Sequence, residues 1–170
     1  MNTVLILVCG LPGTGKSFFA QQLSKKIVAD YYNSDLLRKK LFPAGRTYSE
    51  NEKQQVYDAL IAKTQQSLEE NRTVIVDATF YKNELRIPFY ELAHTQSIPV
   101  HVFYITASEE LIKERTSRVR PDSEADYSVY LKLKDLFEPI DAPYTTLVST
   151  QNNIEELLSS ALMYLQHGKK

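Results

Sequence analysis

Residues 3–17 decide the fold; they read Thr-Val-Leu-Ile-Leu-Val-Cys-Gly-Leu-Pro-Gly-Thr-Gly-Lys-Ser. The apolar run from Val4 to Cys9 predicts a strand that is buried on both faces, which is typical of a parallel sheet. The run stops at Gly10, and a helical pattern begins near Ser17. Between them lies the pattern Gly-x-x-x-x-Gly-Lys-Ser, typical of a loop whose backbone N–H groups surround phosphate oxygens. The stretch therefore predicts a nucleoside triphosphate site at the end of the first strand.

The residues of this loop have separate chemical tasks. Glycine permits backbone angles that a Cβ would oppose, and the helix that follows adds the partial positive charge of its N-terminus. Lys16 is expected to bridge the β- and γ-phosphates, and the Ser17 hydroxyl is expected to bind Mg²⁺. A glycine-rich turn that matches by accident is the alternative, which the flanking strand and helix make rare. The expected nucleotide-binding residues of the loop are Gly10, Gly13, Thr14, Gly15, Lys16 and Ser17.

The composition indicates a single domain, 1–170, with a globular balance of apolar and charged residues. The formal net charge of −1 excludes a global positive field for nucleic acid, so any such contact needs a local patch. Cys9 is the only cysteine, which excludes an internal disulfide. His94, His101 and His167 lack metal-ligand spacing. No apolar stretch approaches membrane-spanning length and no signal peptide is expected, so a cytoplasmic location is predicted.

Strands alternate with helices along the chain. Strands are predicted at 4–9, 28–33, 73–76, 98–105 and 144–149, and seven helices are predicted in all. This alternation predicts a three-layer α/β domain around a parallel sheet with right-handed crossovers. Because ligands of such sheets bind beyond the carboxyl ends of the strands, the residues that follow the strands are the candidates for the site.

Two aspartates follow predicted strands beside the phosphate loop. Asp77 is predicted to hold Mg²⁺, directly or through water, or to contact the acceptor; a polar strand-end residue or a helix cap is the alternative. Asp35 opens a helix after Ser34, a position that suits a capping carboxylate as well as a general base for an acceptor hydroxyl. Arg38 lies one turn further on and either pairs with Asp35 or anchors an anionic group of the acceptor. Residue spacing leaves these alternatives open.

Three arginines, Arg115, Arg118 and Arg120, precede a helix break at Pro121. They form either a solvated basic face or an arginine lid, approximately 115–126, that stabilises the transferring phosphate and excludes water. Arg118 is the first candidate for the catalytic arginine, and Arg115 is grouped with it as nucleotide-binding. The guanine-binding Asn-Lys-x-Asp pattern of GTPases is absent, which weakly favours ATP and leaves GTP open.

The chain resembles the small P-loop kinases related to the polynucleotide 5′-kinases, a group that contains many kinases of unassigned substrate. Residues 10–17 match the phosphate loop of that group, and Asn-Ser-Asp-Leu-Leu-Arg at 33–38 resembles its Ser-Asp-x-x-Arg segment. Val-Asp-Ala-Thr-Phe at 76–80 resembles its Asp-Ala-Thr motif, and Phe-Glu-Pro-Ile-Asp at 137–141 is also similar. The Ser-Asp-x-x-Arg and Asp-Ala-Thr motifs together narrow the resemblance to this group.

The resemblance implies a five-stranded parallel sheet in the order 2-3-1-4-5 with a helical lid. It also implies that Asp35 is the general base and that Arg38 binds a phosphate of the acceptor. Asp77 and Thr79 become acceptor-side or metal-shell groups, and Arg86 is placed like the arginine that often follows the Asp-Ala-Thr motif. The expected acceptor-binding residues are therefore Asp35, Arg38, Asp77, Thr79 and Arg86.

The expected activity is transfer of the γ-phosphate of ATP, with Mg²⁺, to the 5′-hydroxyl end of DNA or RNA. Lys16, Asp35 and Arg118 are the expected catalytic residues. Some polynucleotide kinases carry an additional end-healing domain, for which this chain has no room. The main alternative is a small-molecule kinase acting on a sugar, an antibiotic or a nucleotide sugar, with a toxin-type kinase of cell-wall precursors as one version. A non-catalytic nucleotide-binding module, in which Asp35 is merely a cap, is the third alternative.

Overall fold

A computed structural model describes residues 3–118 and 125–167 of the chain. Within these ranges strands and helices alternate as predicted. The strands are β1 (Leu5–Cys9), β2 (Asp30–Asn33), β3 (Val74–Asp77), β4 (Val100–Ala107) and β5 (Thr145–Ser149). The helices are α1 (Lys16–Ile27), α2 (Ser34–Leu41), α3 (Glu50–Glu69), α4 (Asn83–Thr95), α5 (Glu109–Thr116), α6 (Tyr127–Asp135) and α7 (Ile154–His167).

The strands form one parallel sheet in the order β2-β3-β1-β4-β5. This arrangement confirms the predicted α/β class and strand order. Asn33 of β2 pairs in register with Asp77 of β3, and Asp77 pairs with Val8 of β1. The carboxyl ends of these three neighbouring strands therefore meet next to the loop that follows β1.

The central strand β1 is buried along its whole length, as expected for a strand covered on both faces. Its side chains alternate between two layers because successive residues of a strand face opposite sides. Leu5, Leu7 and Cys9 belong to the core under α3 and α4, while Ile6 and Val8 pack toward α1 and α7. Burial raises the pKa of the Cys9 thiol to about 12, so the thiol stays protonated near neutral pH.

Two strands begin two residues later than predicted, because a left-handed residue follows or closes the helix before each of them. Val28 closes α1 with a φ of 54°, and β2 begins at Asp30. Ser97 has a φ of 55° after α4, and β4 begins at Val100. A residue with a positive φ interrupts extended backbone. The pattern of apolar residues does not indicate which residues adopt a positive φ.

None of the helices in residues 3–118 and 125–167 is both long enough and apolar enough to span a bilayer. The longest of them, α3, has 20 residues and carries several charged side chains.

A buried arginine joins α4 to residues 137–141, the segment between α6 and β5. The Arg86 side chain is fully buried, and its guanidinium donates to the carbonyl oxygens of Glu138 at 3.2 Å and Pro139 at 2.6 Å. Its Nε also donates to Asn83 Oδ1 at 3.1 Å. The backbone N–H of Asn83 donates to the Glu138 carboxylate at 2.6 Å, which closes the ring of contacts. We call these four residues the Arg86 clasp.

Replacing Arg86 with methionine should lower the free energy of unfolding by about 2–4 kcal/mol, because buried oxygen acceptors would lose a charged donor. Denaturant unfolding followed by circular dichroism measures the loss. Arg72→Met is the control, because the Arg72 side chain is 46% exposed and pairs with Asp30 and Glu70 at the surface. This control should lose less than about 1 kcal/mol. Equal losses in the two variants would show that the clasp does not stabilise the fold.

Candidate active site

The loop between β1 and α1 packs closely against α5. Gly13 has a φ of 84°, and a Cβ built on it would lie 2.9 Å from Thr116 Cγ2 and 3.2 Å from the Ile112 carbonyl oxygen. A side chain at position 13 would therefore collide with α5. At Gly15, where φ is 90°, a Cβ would lie 3.0 Å from the Ser149 hydroxyl oxygen at the end of β5. Packing as well as backbone conformation thus requires glycine at both positions.

Helix α1 begins at Lys16, and Gly15 at its N-cap makes no side-chain capping hydrogen bond. The first amide groups of such a helix are well suited to bind an anion. The Thr14 hydroxyl is buried and donates to the Leu11 carbonyl oxygen at 2.8 Å. This hydroxyl therefore stabilises the shape of the loop, which leaves the backbone N–H as the group of Thr14 that could bind a phosphate.

Side chains of Ser17, Asn33 and Asp77 form a chain of hydrogen bonds across the ends of β1, β2 and β3. Asn33 Nδ2 donates to Ser17 Oγ at 3.4 Å and to Asp77 Oδ2 at 2.6 Å. The Tyr31 hydroxyl donates to the same carboxylate oxygen at 2.7 Å. Asp77 is fully buried, and its second oxygen, Oδ1, has no hydrogen-bond partner. A buried carboxylate oxygen without a donor is costly, and a cation or a cation-bound water would satisfy it.

These oxygen atoms fit Mg²⁺. A hydroxyl and a carboxylate are hard ligands, and Mg²⁺ usually completes its shell with water and phosphate oxygens. Ser17 Oγ and Asp77 Oδ1 would be the two protein atoms nearest the ion, with Asn33 fixing their relative position. The described part of the chain contains no group of three or more His, Cys, Asp or Glu side chains that could hold a metal ion. Binding through two oxygens and phosphate does not require one.

Asp35 lies in the first turn of α2 but does not cap the helix. The N-cap is Asn33, whose Oδ1 accepts the backbone N–H of Leu36 at 2.8 Å. Burial raises the pKa of the Asp35 carboxyl above its ordinary value, against the opposing positive charges of Lys16 and Arg38. The carboxylate therefore lies within the field of the phosphate-loop lysine, where a raised pKa makes it a better proton acceptor.

Arg38 and Thr79 lie on either side of this region. The Arg38 side chain is 10% exposed, with Nη1 3.4 Å from Asp35 Oδ1 and Nε 3.0 Å from Glu52 Oε1. Its charge is thus shared between two carboxylates. Thr79 follows β3, and its carbonyl oxygen accepts the backbone N–H of Gly10 at 3.4 Å. This bond joins the Asp-Ala-Thr segment to the phosphate loop.

Arg115 contacts the phosphate loop directly. Its Nη1 donates to the Gly13 carbonyl oxygen at 3.3 Å and to Ser149 Oγ at 3.1 Å. Its Nη2 donates to the Thr150 carbonyl oxygen at 2.7 Å. One guanidinium thereby connects α5, the loop after β1 and the end of β5.

Arg118 is placed differently. Its side chain is 73% exposed, and its guanidinium pairs with Glu114 at 2.6 Å. The structure therefore brings Arg115, and not Arg118, to the phosphate loop. Arg120 lies outside the described residues, as does the predicted lid from 119 to 124.

A cavity of about 380 Å³ opens between α5 and the end of β5, next to the partners of Arg115. It is lined by side chains and backbone from both elements: Ser108, Glu110, Leu111, Glu114, Val148, Ser149, Thr150 and Gln151. The volume can accommodate a nucleobase.

Sequence reasoning did not identify Tyr31, Asn33 or Glu52 as site residues. Tyr31 and Asn33 are two residues apart on β2, so their side chains lie on the same face of the strand, the face that meets Asp77. The alternation of side chains along a strand could have indicated this from the sequence. Glu52 matches a capping box, and the Ser49 hydroxyl does accept its backbone N–H at 3.2 Å. The capping box is sufficient to explain a glutamate at position 52. The sequence alone therefore does not indicate that its carboxylate also contacts the Arg38 side chain.

Arg86, which was expected to bind the acceptor, is used in the structure to join two segments of the chain. This side chain is fully buried in the Arg86 clasp, where its guanidinium is bound to carbonyl oxygens of residues 138 and 139. Its role in the structure is to anchor the segment before β5.

Comparison with known proteins identifies related folds. A family model described as AAA domain matches residues 5–140. The fold is similar to an unliganded sugar kinase from Janibacter (TM-score 0.72, 18% identity, covering 96% of this chain and 95% of that one). It is similar to the APS kinase of Mycobacterium tuberculosis in complex with AMPPNP and APS (TM-score 0.72, 17% identity, 97% and 98%). It is also similar to Chaetomium thermophilum Kti12 in complex with ADP-AlF3 (TM-score 0.69, 22% identity, 94% and 97%).

Arg115→Met should weaken the binding of a non-hydrolysable ATP analogue by roughly 10-fold or more, because charge-assisted hydrogen bonds to the loop and to β5 are lost. Isothermal titration calorimetry measures the affinity. Arg118→Met is the matched control and should change affinity less than about 2-fold, since an exposed ion pair contributes little. Equal effects of the two substitutions would contradict the assignment of Arg115 to the nucleotide site.

Proposed function

This chain belongs to the AAA-domain family whose model matches residues 5–140, and from that membership and the geometry of the site we propose that it is an ATP-dependent kinase with a hydroxyl acceptor. The solved structures with similar folds include kinases and proteins bound to nucleotides or their analogues. The site contains the groups that phosphoryl transfer needs: a phosphate loop, a hard-oxygen metal position and a carboxylate beside them. A cytoplasmic location, where ATP is plentiful, is part of the proposal.

One observation carries the proposal: Asp35, in the first turn of α2, is joined through the Asn33 cap of that helix to the buried Asp77 carboxylate. Asn33 fixes this arrangement with two atoms of one side chain, because its Oδ1 caps the helix of Asp35 and its Nδ2 donates to Asp77. The proposed general base, Asp35, is thereby linked to Asp77, the proposed metal-binding carboxylate. A carboxylate with a merely local role would not need this link.

The proposed reaction follows from these positions. The acceptor oxygen attacks the γ-phosphorus while its proton passes to the Asp35 carboxylate, and the bond from the γ-phosphorus to the bridging oxygen of ADP breaks. Lys16 and the loop amides hold the phosphate oxygens as charge moves toward ADP. Ser17 and Asp77 would hold Mg²⁺, which would supply positive charge to the transferring phosphate.

The arginines of α5 have separate proposed roles. Arg115 holds the loop carbonyl and the end of β5 against the nucleotide, and the cavity beside it takes the base of ATP. Backbone groups at 149–151 would contact adenine or guanine, so GTP also fits this part of the proposal. Arg118 would stabilise the transferring phosphate only after leaving its pair with Glu114.

The leading proposed acceptor is the 5′-hydroxyl end of DNA or RNA. A local basic segment supports it, because Arg38, Lys39 and Lys40 lie three to five residues after Asp35 although the whole chain has a net charge of −1. Phosphates next to the hydroxyl would lie against this segment. Arg38, Asp77 and Thr79 are the proposed acceptor-side residues.

A small-molecule acceptor is the second candidate, and two observations favour it. The charge of Arg38 is partly neutralised by Glu52, and Arg86 is buried in its clasp. Fewer cations are then available for a chain of phosphates than the sequence suggests. The similar structures include a sugar kinase and an APS kinase.

Transfer of label from γ-labelled ATP with Mg²⁺ distinguishes the acceptors. The panel contains 5′-hydroxyl DNA and RNA oligonucleotides, the same oligonucleotides with a 5′-phosphate as the matched control, simple sugars, gluconate and APS. We expect label on the 5′-hydroxyl oligonucleotides and none on the phosphorylated ones. Label on a small molecule alone would select the second candidate. Slow hydrolysis without transfer to any acceptor would contradict the kinase proposal and favour a nucleotide-binding module.

Asp35→Asn should reduce turnover by about 10²–10⁴-fold while leaving the affinity for ATP nearly unchanged, because an amide cannot accept the proton. Steady-state kinetics and calorimetry measure the two quantities. Asp58→Asn is the control, since Asp58 is an exposed residue of α3 that accepts a bond from Gln54 at 2.8 Å. Wild-type turnover in the Asp35 variant would disprove its role as the base.

The same substitution should raise the thermal stability near pH 7. Burial raises the folded-state pKa of Asp35, so the folded state binds the proton more tightly than the unfolded state. The ionised carboxylate therefore destabilises the fold at higher pH, and its removal relieves that cost. The gain in melting temperature should shrink as the pH falls toward the ordinary aspartate value of 3.8. A gain that is the same at every pH would contradict this account.

A further inference from the structure

The Glu52 carboxylate lies in the first turn of α3, where it is 4% exposed. One of its oxygens, Oε2, accepts the backbone N–H of Thr47 at 2.6 Å and the Thr47 hydroxyl at 3.0 Å. Its other oxygen, Oε1, lies 3.0 Å from Arg38 Nε. This single carboxylate therefore connects the loop before α3 to the arginine beside the candidate base.

Arg38 is held from three directions. Glu52 lies at its Nε, Asp35 lies 3.4 Å from its Nη1, and the Tyr48 ring centroid lies 4.8 Å from its central carbon. The two carboxylates take different edges of the guanidinium: the contact to Glu52 is an ion pair at 3.0 Å without hydrogen-bond geometry, and the contact to Asp35 is a hydrogen bond at 3.4 Å. The Nη edge is thereby directed toward Asp35, the region where the proposed acceptor hydroxyl would lie.

We propose that Glu52 is a positioning residue of the acceptor site, which limits how closely the Arg38 guanidinium approaches Asp35 and so leaves both side chains able to contact the acceptor. This inference rests on the proposed kinase function for its consequence in turnover, but its physical content concerns Asp35, Arg38 and Glu52 alone.

The charges around Asp35 explain why such a restraint matters. The groups that act on its carboxyl are Lys16 from α1, Arg38 and Lys39 from α2, and Asp77 from β3. Arg38 is one turn away on the same helix, a spacing at which aspartate and arginine readily pair. A closer pair would lower the pKa of Asp35 and weaken it as a base, and it would also occupy the arginine. Glu52 competes for that positive charge.

The surroundings of Glu52 favour the charged form of its carboxylate. Burial opposes its ionisation, but the hydrogen bonds from Thr47 and the charge of Arg38 outweigh that effect and lower the pKa of Glu52. It is therefore negatively charged at neutral pH. A purely structural explanation, in which the pair only joins α2 to α3, predicts a loss of stability but no change at Asp35 that depends on Arg38.

Carbon-13 NMR titration of the Asp35 carboxyl in the full chain tests the proposal without any acceptor. In Glu52→Gln, the Asp35 pKa should fall, because Arg38 moves closer and a neighbouring negative charge is lost. Glu50→Gln is the matched control two residues earlier, where an 83% exposed carboxylate pairs with Lys53, and it should leave the Asp35 pKa unchanged. In an Arg38→Gln background, the effect of Glu52→Gln should fall to less than about half, as expected for coupled residues.

The proposal is overturned if Glu52→Gln leaves the Asp35 titration as in wild type, or if its full effect persists without Arg38. Glu52→Asp serves if the glutamine variant does not fold: it keeps the charge but withdraws it by one methylene, and it should shift the titration in the same direction by less.

A kinetic measurement completes the test, with the 5′-hydroxyl oligonucleotide as the probe. Glu52→Gln should raise the KM for this acceptor roughly 10-fold and leave the KM for ATP within about 2-fold. An equal rise in both KM values would overturn the positioning role. Absence of transfer in the wild-type protein would instead refute the proposed function, and the NMR titration would still decide the role of Glu52.

Discussion

The site depends on one buried carboxylate, Asp77, and on the hydrogen bonds that orient it. Sheet register places Asp77 beside Asn33 and Val8, at the point where the chain leaves β1 for the phosphate loop. Asn33 and Tyr31 both donate to one of its oxygens, which leaves the other oxygen for a cation or its water. Because Asn33 also caps α2, the orientation of Asp77 and the position of Asp35 are set by the same side chain.

The two halves of the site differ in how they are fixed. Backbone geometry fixes the nucleotide half, since Gly13 and Gly15 are in left-handed conformations and packed against α5 and β5. Charge balance fixes the proposed acceptor half, where Arg38 lies between Asp35 and Glu52. Glycine packing permits little variation, whereas balanced charges can be altered by one substitution. Acceptor choice would therefore vary more readily than nucleotide binding on such a scaffold.

Sequence was sufficient where the physical cause is local and insufficient where it is long-range. The buried β1 run and the phosphate loop are local patterns, and both were predicted correctly; strand order came from the resemblance. Arg86 could not be placed, because the carbonyl oxygens that bind it lie 52 and 53 residues further along the chain. The local pattern likewise could not separate Arg115 from Arg118, whose surroundings depend on how α5 packs against the phosphate loop.

In the proposed site, a nucleoside triphosphate on the phosphate loop faces the Asp35 carboxylate across a gap that admits an acceptor hydroxyl. A crystal structure with Mg²⁺, ADP and aluminium fluoride measures this arrangement most directly. We predict that the aluminium fluoride lies between the ADP β-phosphate and Asp35. The space between the aluminium fluoride and the Asp35 carboxylate should admit one oxygen atom. A carboxylate turned away from the fluoride, or a gap filled by protein atoms, would contradict this prediction.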